Sequence, residues 1–218
     1  MAMATITAAR AMGMATSRAL LVGLLALGAA GGGCGTSASR PPSVRRSTGL
    51  TSSSVNAASA GYTWLAPAPA PATWRHSRLD SGATMAYPPG WRVLAGDPDT
   101  TTAALLDTHG YYLGYLNLTP RQGHEAQASW ASFRPHHNVA EGEKNVTVID
   151  AAAGLRFRSG QGSCVRDAYT TSTNNRYVEI ACLVDGRRAS SVIVGAAPGK
   201  RWAQERSIIE RAISALIT

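Results

Sequence analysis

The sequence predicts an α+β domain: an antiparallel β-sheet flanked by helices, in an α/β/α sandwich, after an export signal and a disordered linker. Three observations lead to it. Short apolar runs recur between turn-forming residues over the second half of the chain. Two segments, Glu125–Phe133 and Trp202–Leu216, carry helical spacing. Before Trp74 there is little core-forming material beyond one short apolar run near the N-terminus.

That run is Ala19–Ala30, preceded by Arg10 and Arg18. About 12 apolar residues are too few to cross a bilayer core as a helix and fit the hydrophobic stretch of a secretory signal. Small residues, Gly31-Gly32-Gly33, then lead directly to Cys34. Together these resemble a bacterial lipoprotein signal with a lipobox, although Gly31 stands where that pattern prefers Leu. The resemblance implies that residues 1–33 are removed and that Cys34 is diacylated as the mature N-terminus. A plain secretory signal cut nearby is the main alternative, and an uncleaved anchor the lesser one.

Residues 34–73 are rich in Ser, Thr, Ala, Gly and Pro, so ordering them costs more than they can bury, and a disordered tether is expected. The Ala-Pro alternation at Ala66–Pro71 favours an extended spacer. Tyr62, Trp64 and Leu65 are out of place in such a linker. They fit either a docking segment or, preferably, loose packing on the domain.

The net charge of +8 raises nucleic acid as a partner, but its distribution argues against one. Seven arginines and no acidic residue precede Asp80, whereas from Asp80 onward 14 basic residues face all 13 acidic ones. A recognition domain should carry its positive charge on the fold. Arg45-Arg46 would sit near anionic headgroups if the chain is anchored, or simply in a solvated tail.

The domain is expected over residues 74–218. Gly82–Tyr87 reads as a strand stopped by Pro88-Pro89-Gly90-Trp91, in which Pro89 and Gly90 suit the central positions of a type II turn. Trp91–Leu94 leaves that turn. Ala103–Leu106 and Tyr111–Thr119 form the next pair, the latter apolar on both alternating sets, as in a strand covered on both faces. Glu125 to about Phe133 is helical, with Pro135 expected to end it. Val146–Ile149 and Leu155–Phe157 read as two strands around Ala151–Gly154. Two hairpins follow, through Thr173-Asn174-Asn175 and through Asp185-Gly186. The amphipathic helix Trp202–Leu216 turns Trp202, Ile209, Ile213 and Leu216 to the sheet.

With Cys34 taken by lipidation, Cys164 and Cys182 remain as an even pair in an exported domain, where a disulfide is favoured. A turn centred on Thr173 pairs antiparallel residues whose numbers sum symmetrically about it. Cys164 then lies opposite Cys182, close enough for a bond. The same register sets Asp167 against Glu179, a like-charge pair that Arg166 or Arg176 would have to relieve.

Tyr87-Pro88-Pro89-Gly90-Trp91, with the mid-domain helix, the hairpins and the C-terminal amphipathic helix, resembles the PsbP-like (Mog–PsbP) family over roughly Trp74–Thr218. The resemblance implies an accessory, non-catalytic protein of the envelope or a membrane complex. No family ligand residue finds a matching motif in this chain.

The candidate chemistry is sparse. Ser163, in Gly160–Cys164, lacks nucleophile-elbow spacing and precedes a strand rather than a helix. The five histidines, His76, His109, His124, His136 and His137, show no metal-ligand spacing, and Asp97-x-Asp99 lacks the remaining ligands of a calcium loop. Asn117 and Asn145 lie in coincidental glycosylation sequons. Trp91, Tyr111, Tyr112, Tyr115 and Trp130 form either an apolar ligand cleft or ordinary core, the latter being the blander reading.

The expectation is therefore a non-catalytic monomer without metal or cofactor, tethered to the membrane by an N-terminal lipid on the extracytoplasmic side. Its partner would be an envelope lipid or membrane protein, not a nucleic acid. A secreted hydrolase with an unrecognised site is the alternative.

Overall fold

A computed structural model of the chain describes residues 60–218. The expected signal, Cys34, Arg45-Arg46 and residues 34–59 of the expected tether lie outside the described residues.

The elements run in the order β1 (Arg75–Arg78), β2 (Thr84–Tyr87), β3 (Arg92–Leu94), β4 (Thr101–Leu106), β5 (Tyr112–Pro120), α1 (Trp130–Ala140), β6 (Lys144–Arg156), β7 (Gly160–Thr170), β8 (Arg176–Gly186), β9 (Ser190–Pro198) and α2 (Trp202–Ser214). β1 and β2 form a two-stranded ribbon. The other seven make one sheet, antiparallel at every pairing, in the order β3-β4-β5-β9-β8-β7-β6. The α+β class follows directly.

Strand alternation divides the core in two. Leu116, Leu118, Cys164, Ile180, Cys182 and Ile193 face α2, where Ile209 and Ile213, with Leu216 just beyond the helix, are fully buried. Each such side chain contributes about 1.5–3 kcal/mol on leaving water. α2 lies close because β9 offers Gly195, where a Cβ would collide with Ile209 Cγ2. Neighbouring positions, Ala104, Tyr115, Val165, Ala181, Leu183 and Val194, face the other way, where Trp130 and Phe133 of α1 cover them. The turn after β2 has the geometry its residues require: Gly90 at φ +89° and Trp91 N–H donating to Pro88 O at 3.3 Å.

The structure corrects three expectations. First, the described residues before Trp74 already pack on the domain, as the preferred reading of Tyr62, Trp64 and Leu65 has it, so the tether does not extend to residue 73. Tyr62 is 2% exposed, Trp64 and Leu65 pack against the same core, and Trp64 Nε1 donates to Gly61 O at 2.8 Å. Arg211 on α2 donates to Pro69 O at 2.9 Å. The last part of residues 34–73 is thus fixed to the fold, because its few large apolar groups find a hydrophobic surface.

Second, residues 146–157 are not two strands. β6 runs unbroken over 13 residues. Register shifts at three places, with Asn145 and Gly154 at positive φ, absorb the irregular Ala-rich stretch as bulges on an edge strand.

Third, the mid-domain helix starts and ends later than its spacing suggested. A 3-10 turn at Gln127–Ser129 leads into α1, and Pro135 lies inside the helix. The residue whose carbonyl loses its partner there, Ala131, is exposed to water. The residues that continue the helix, His137 and Asn138, are held by contacts to their surroundings.

Candidate functional site

The five aromatics considered for one ligand cleft do not all meet: Tyr112, Tyr115 and Trp130 share one side of the sheet, with the Tyr112 and Tyr115 rings 5.9 Å apart, and Trp91 and Tyr111 lie elsewhere. Trp91 belongs to the α2-side core, where it packs over Gly114 beside Glu205. Tyr115 and Trp130 belong to the α1-side core, with Tyr112 packed against them. Tyr111 is 69% exposed. The sheet separates the two groups, because successive strand residues point to opposite faces. Trp130 is fully buried and donates from Nε1 to Ala181 O at 2.9 Å, so it anchors the N-terminal end of α1.

The α1 face instead gathers tyrosines that sequence spacing did not bring together. The ring of Tyr177 from β8 lies 6.5 Å from that of Tyr115 from β5 and 6.0 Å from that of Tyr169 from β7, and Tyr115 and Tyr169 share a hydroxyl contact at 3.3 Å. Burial raises the pKa of both hydroxyls, so they stay neutral donors.

Beside them lies a buried ionic cluster. The β7–β8 register places Asp167 opposite Glu179, and both are fully buried. Neither Arg166 nor Arg176 relieves this pair. Arg134 from α1 does, donating from Nε and Nη2 to the two Glu179 oxygens at 2.7 and 3.0 Å. Asn138, one helical turn on, donates to Asp167 Oδ2 and Glu179 Oε1, both at 3.1 Å. Burial opposes the charge on Arg134, but Glu179 holds the guanidinium pKa above its ordinary value. Burial, then the charge of Glu179, pushes Asp167 up to about 8, so it carries a proton at neutral pH. The cluster docks a helix; no open cavity borders it among the described depressions.

The remaining sequence candidates are dispersed. Ser163 is buried within β7, opposite Leu183. Asp97 lies in an exposed turn where its carbonyl accepts from Thr100 N–H at 3.3 Å. His124 and His137 flank the Phe133 ring, His136 is exposed, His76 lies on β1 and His109 lies in the β4–β5 turn. Asn117 donates to Thr102 Oγ1 at 2.8 Å, and Asn145 occupies a positive-φ position in β6. Cys164 and Cys182 are disulfide-bonded across β7 and β8, with Cα atoms 4.1 Å apart.

The surface that sequence reasoning missed lies at one end of the sheet. The register Gly160↔Gly186 sets the β6–β7 turn and the β8–β9 turn side by side. A Cβ at Gly160 would strike the Asp185 carbonyl, so only glycine lets these tips approach so closely. A depression of about 580 Å³ opens there, lined by Arg156, Arg158, Arg187, Ser159 and Gln161 among others. A second, of about 360 Å³, shares Arg158, Ser159 and Arg187 and adds Arg188. All four arginines are exposed. Arg158 reaches Ala215 O at 3.4 Å, and among the described residues none of the four forms an ion pair. Asp185, on the wall, is already engaged by Arg121 and Gln127. The only signal for this site in the sequence is the Arg-x-Arg at 156–158 and the Arg-Arg at 187–188, each beside a turn.

Neither a protein-family model nor a curated protein matches the sequence. Solved structures similar to this chain include the cyanobacterial PsbP (CyanoP) of Synechocystis sp. PCC 6803, at 13% identity and TM-score 0.49, covering 68% of this chain and 94% of that one. Another is PA94 of Pseudomonas aeruginosa, a protein of unknown function, at 10% identity and TM-score 0.40, covering 66% and 96%. A third is LpqN of Mycobacterium tuberculosis, involved in cell envelope biogenesis, at 11% identity and TM-score 0.37, covering 62% and 82%. At such identities and TM-scores no residue role is carried over.

Proposed function

We propose that this chain is a non-catalytic, lipid-anchored module of the cell envelope, displayed on the extracytoplasmic side and binding an envelope component. The observation that carries the reading is the Cys164–Cys182 bond across adjacent strands. Such bonds persist in oxidising compartments, so the folded part is suited to an exported protein. The Ala19–Ala30 run with Gly31-Gly32-Gly33-Cys34 supplies the matching export and anchoring signal. Among the described residues no helix is long and apolar enough to cross a membrane. In this reading the lipid on Cys34 supplies the attachment.

The non-catalytic part rests on how the charged groups are used. The most strongly perturbed carboxyl, Asp167, is sealed beneath α1 with Glu179, Arg134 and Asn138, where it positions a helix rather than facing substrate. The charged groups that border the two depressions are mainly arginines, which suit binding.

The test is metabolic labelling with a palmitate analogue in a bacterial host that processes lipoproteins. The wild-type chain is expected to take up label and partition into detergent, and Cys34→Ser to do neither. Label retained by Cys34→Ser would overturn the anchoring assignment.

A further inference from the structure

The geometry points to the arginine-lined depression between the β6–β7 and β8–β9 turns as a binding site for a phosphate-bearing anion. Three guanidinium groups, Arg156, Arg158 and Arg187, border the concavity of about 580 Å³ and Arg188 borders its neighbour, at or beside two adjacent turns and with no carboxylate partner among the described residues. Like charges lining one concavity repel one another, and a bound dianion relieves the repulsion. Arginine presents planar pairs of N–H groups that match two phosphate oxygens at once. The floor is built for that use. Gly160 and Gly186 draw the turns together, and Ser159 is fixed by its contacts to Thr218 at 2.7 and 2.9 Å. The volume suits a headgroup-sized ligand rather than a polymer. Asp185 is the carboxylate on its wall, and Arg121 and Gln127 hold it.

The proposal deepens the reading of the chain as an envelope-binding module and rests on it only for where ligand is met. The phosphate has two possible sources, a phospholipid headgroup or a soluble phosphate compound. The experiment uses the full chain carrying Cys34→Ser, so that no acyl anchor contributes. One arm is calorimetric titration with inorganic pyrophosphate. The other is flotation with phosphatidylcholine vesicles with and without phosphatidylglycerol. Binding in either arm is expected to fall at least tenfold in Arg158→Ala/Arg187→Ala. It should stay within about twofold in Arg92→Ala/Arg176→Ala, which removes equal charge elsewhere. Arg158→Lys/Arg187→Lys, which keeps the charge and loses the fork, is the second probe if the alanine variant melts early, and it should still lose severalfold.

Binding only to phosphatidylglycerol vesicles assigns the site to headgroups; binding to pyrophosphate assigns it to soluble phosphates. Failure of the native chain to bind either probe, or equal loss in both alanine variants, overturns the proposal. Neither result bears on whether Cys34 is acylated, which the labelling test reads separately.

Discussion

Arg134 of α1 grips Glu179 of β8 through two hydrogen bonds, 2.7 and 3.0 Å long, across the face that buries Trp130. Without it, β7 and β8 would carry two carboxyl groups face to face with no cation between them. The pairing makes α1 a structural requirement of the hairpin rather than a cover laid over it. Removing one partner of a buried pair leaves the other uncompensated, so Arg134→Ala should lose about 3 kcal/mol or more in urea unfolding. Replacing the pair with apolar residues, as in Arg134→Met/Glu179→Leu, should recover a good part of it. A loss below about 1 kcal/mol in the single variant would mean that α1 is held by Trp130 and Phe133 alone.

The pH dependence of stability should carry the mark of Asp167. Its carboxyl lies at about 8 in the fold against an ordinary 3.8, so folding takes up a proton. The resulting penalty is absent below about pH 4, grows as pH rises through the window and is complete above about 8. Glu125 and Glu143, also raised by burial, act in the same direction. Asp167→Asn should therefore flatten the decline in melting temperature between pH 5 and 8. Parallel curves for variant and wild type would show that Asp167 is ionised throughout.

Reducing the Cys164–Cys182 bond should destabilise the domain without altering what it binds. Closing a loop of this size (sequence separation 18) contributes roughly 3 kcal/mol by restricting the unfolded chain. For a domain of this length that is a melting shift on the order of 10 °C. Thermal melts with and without reductant, alongside Cys164→Ala/Cys182→Ala, check it. Free thiols at both positions in freshly exported protein would contradict the bond.

The segment around Tyr62 should behave as part of the domain. Tyr62→Ala removes a side chain that is 2% exposed, and such truncations of a buried aromatic typically cost about 3 kcal/mol. A chain that begins at Trp74 should melt lower still, having lost Trp64 and Leu65 as well. If it melts with the full chain, residues 60–73 contribute nothing to the fold.

The sequence by itself determined the alternation of strands, the turn at Pro89-Gly90, the β7–β8 register and with it the cysteine pair, because each is set by nearest neighbours and by turn geometry. It also identified the apolar face of α2, where one helical period suffices. Only the tertiary structure decided which face each aromatic joined, since Trp91 and Tyr115 lie on different segments and alternation within one segment does not say how another is phased against it. The same holds for Arg134, 45 residues from Glu179, which no local rule could select over Arg166 or Arg176. The arginine depression stayed hidden for a related reason. From Asp80 onward the basic and acidic counts nearly cancel, and a near-balance in the sequence says nothing about where charges collect once two turns are drawn together. The edge strand β6 and the docked Tyr62 segment depend likewise on surfaces that exist only after the sheet has formed.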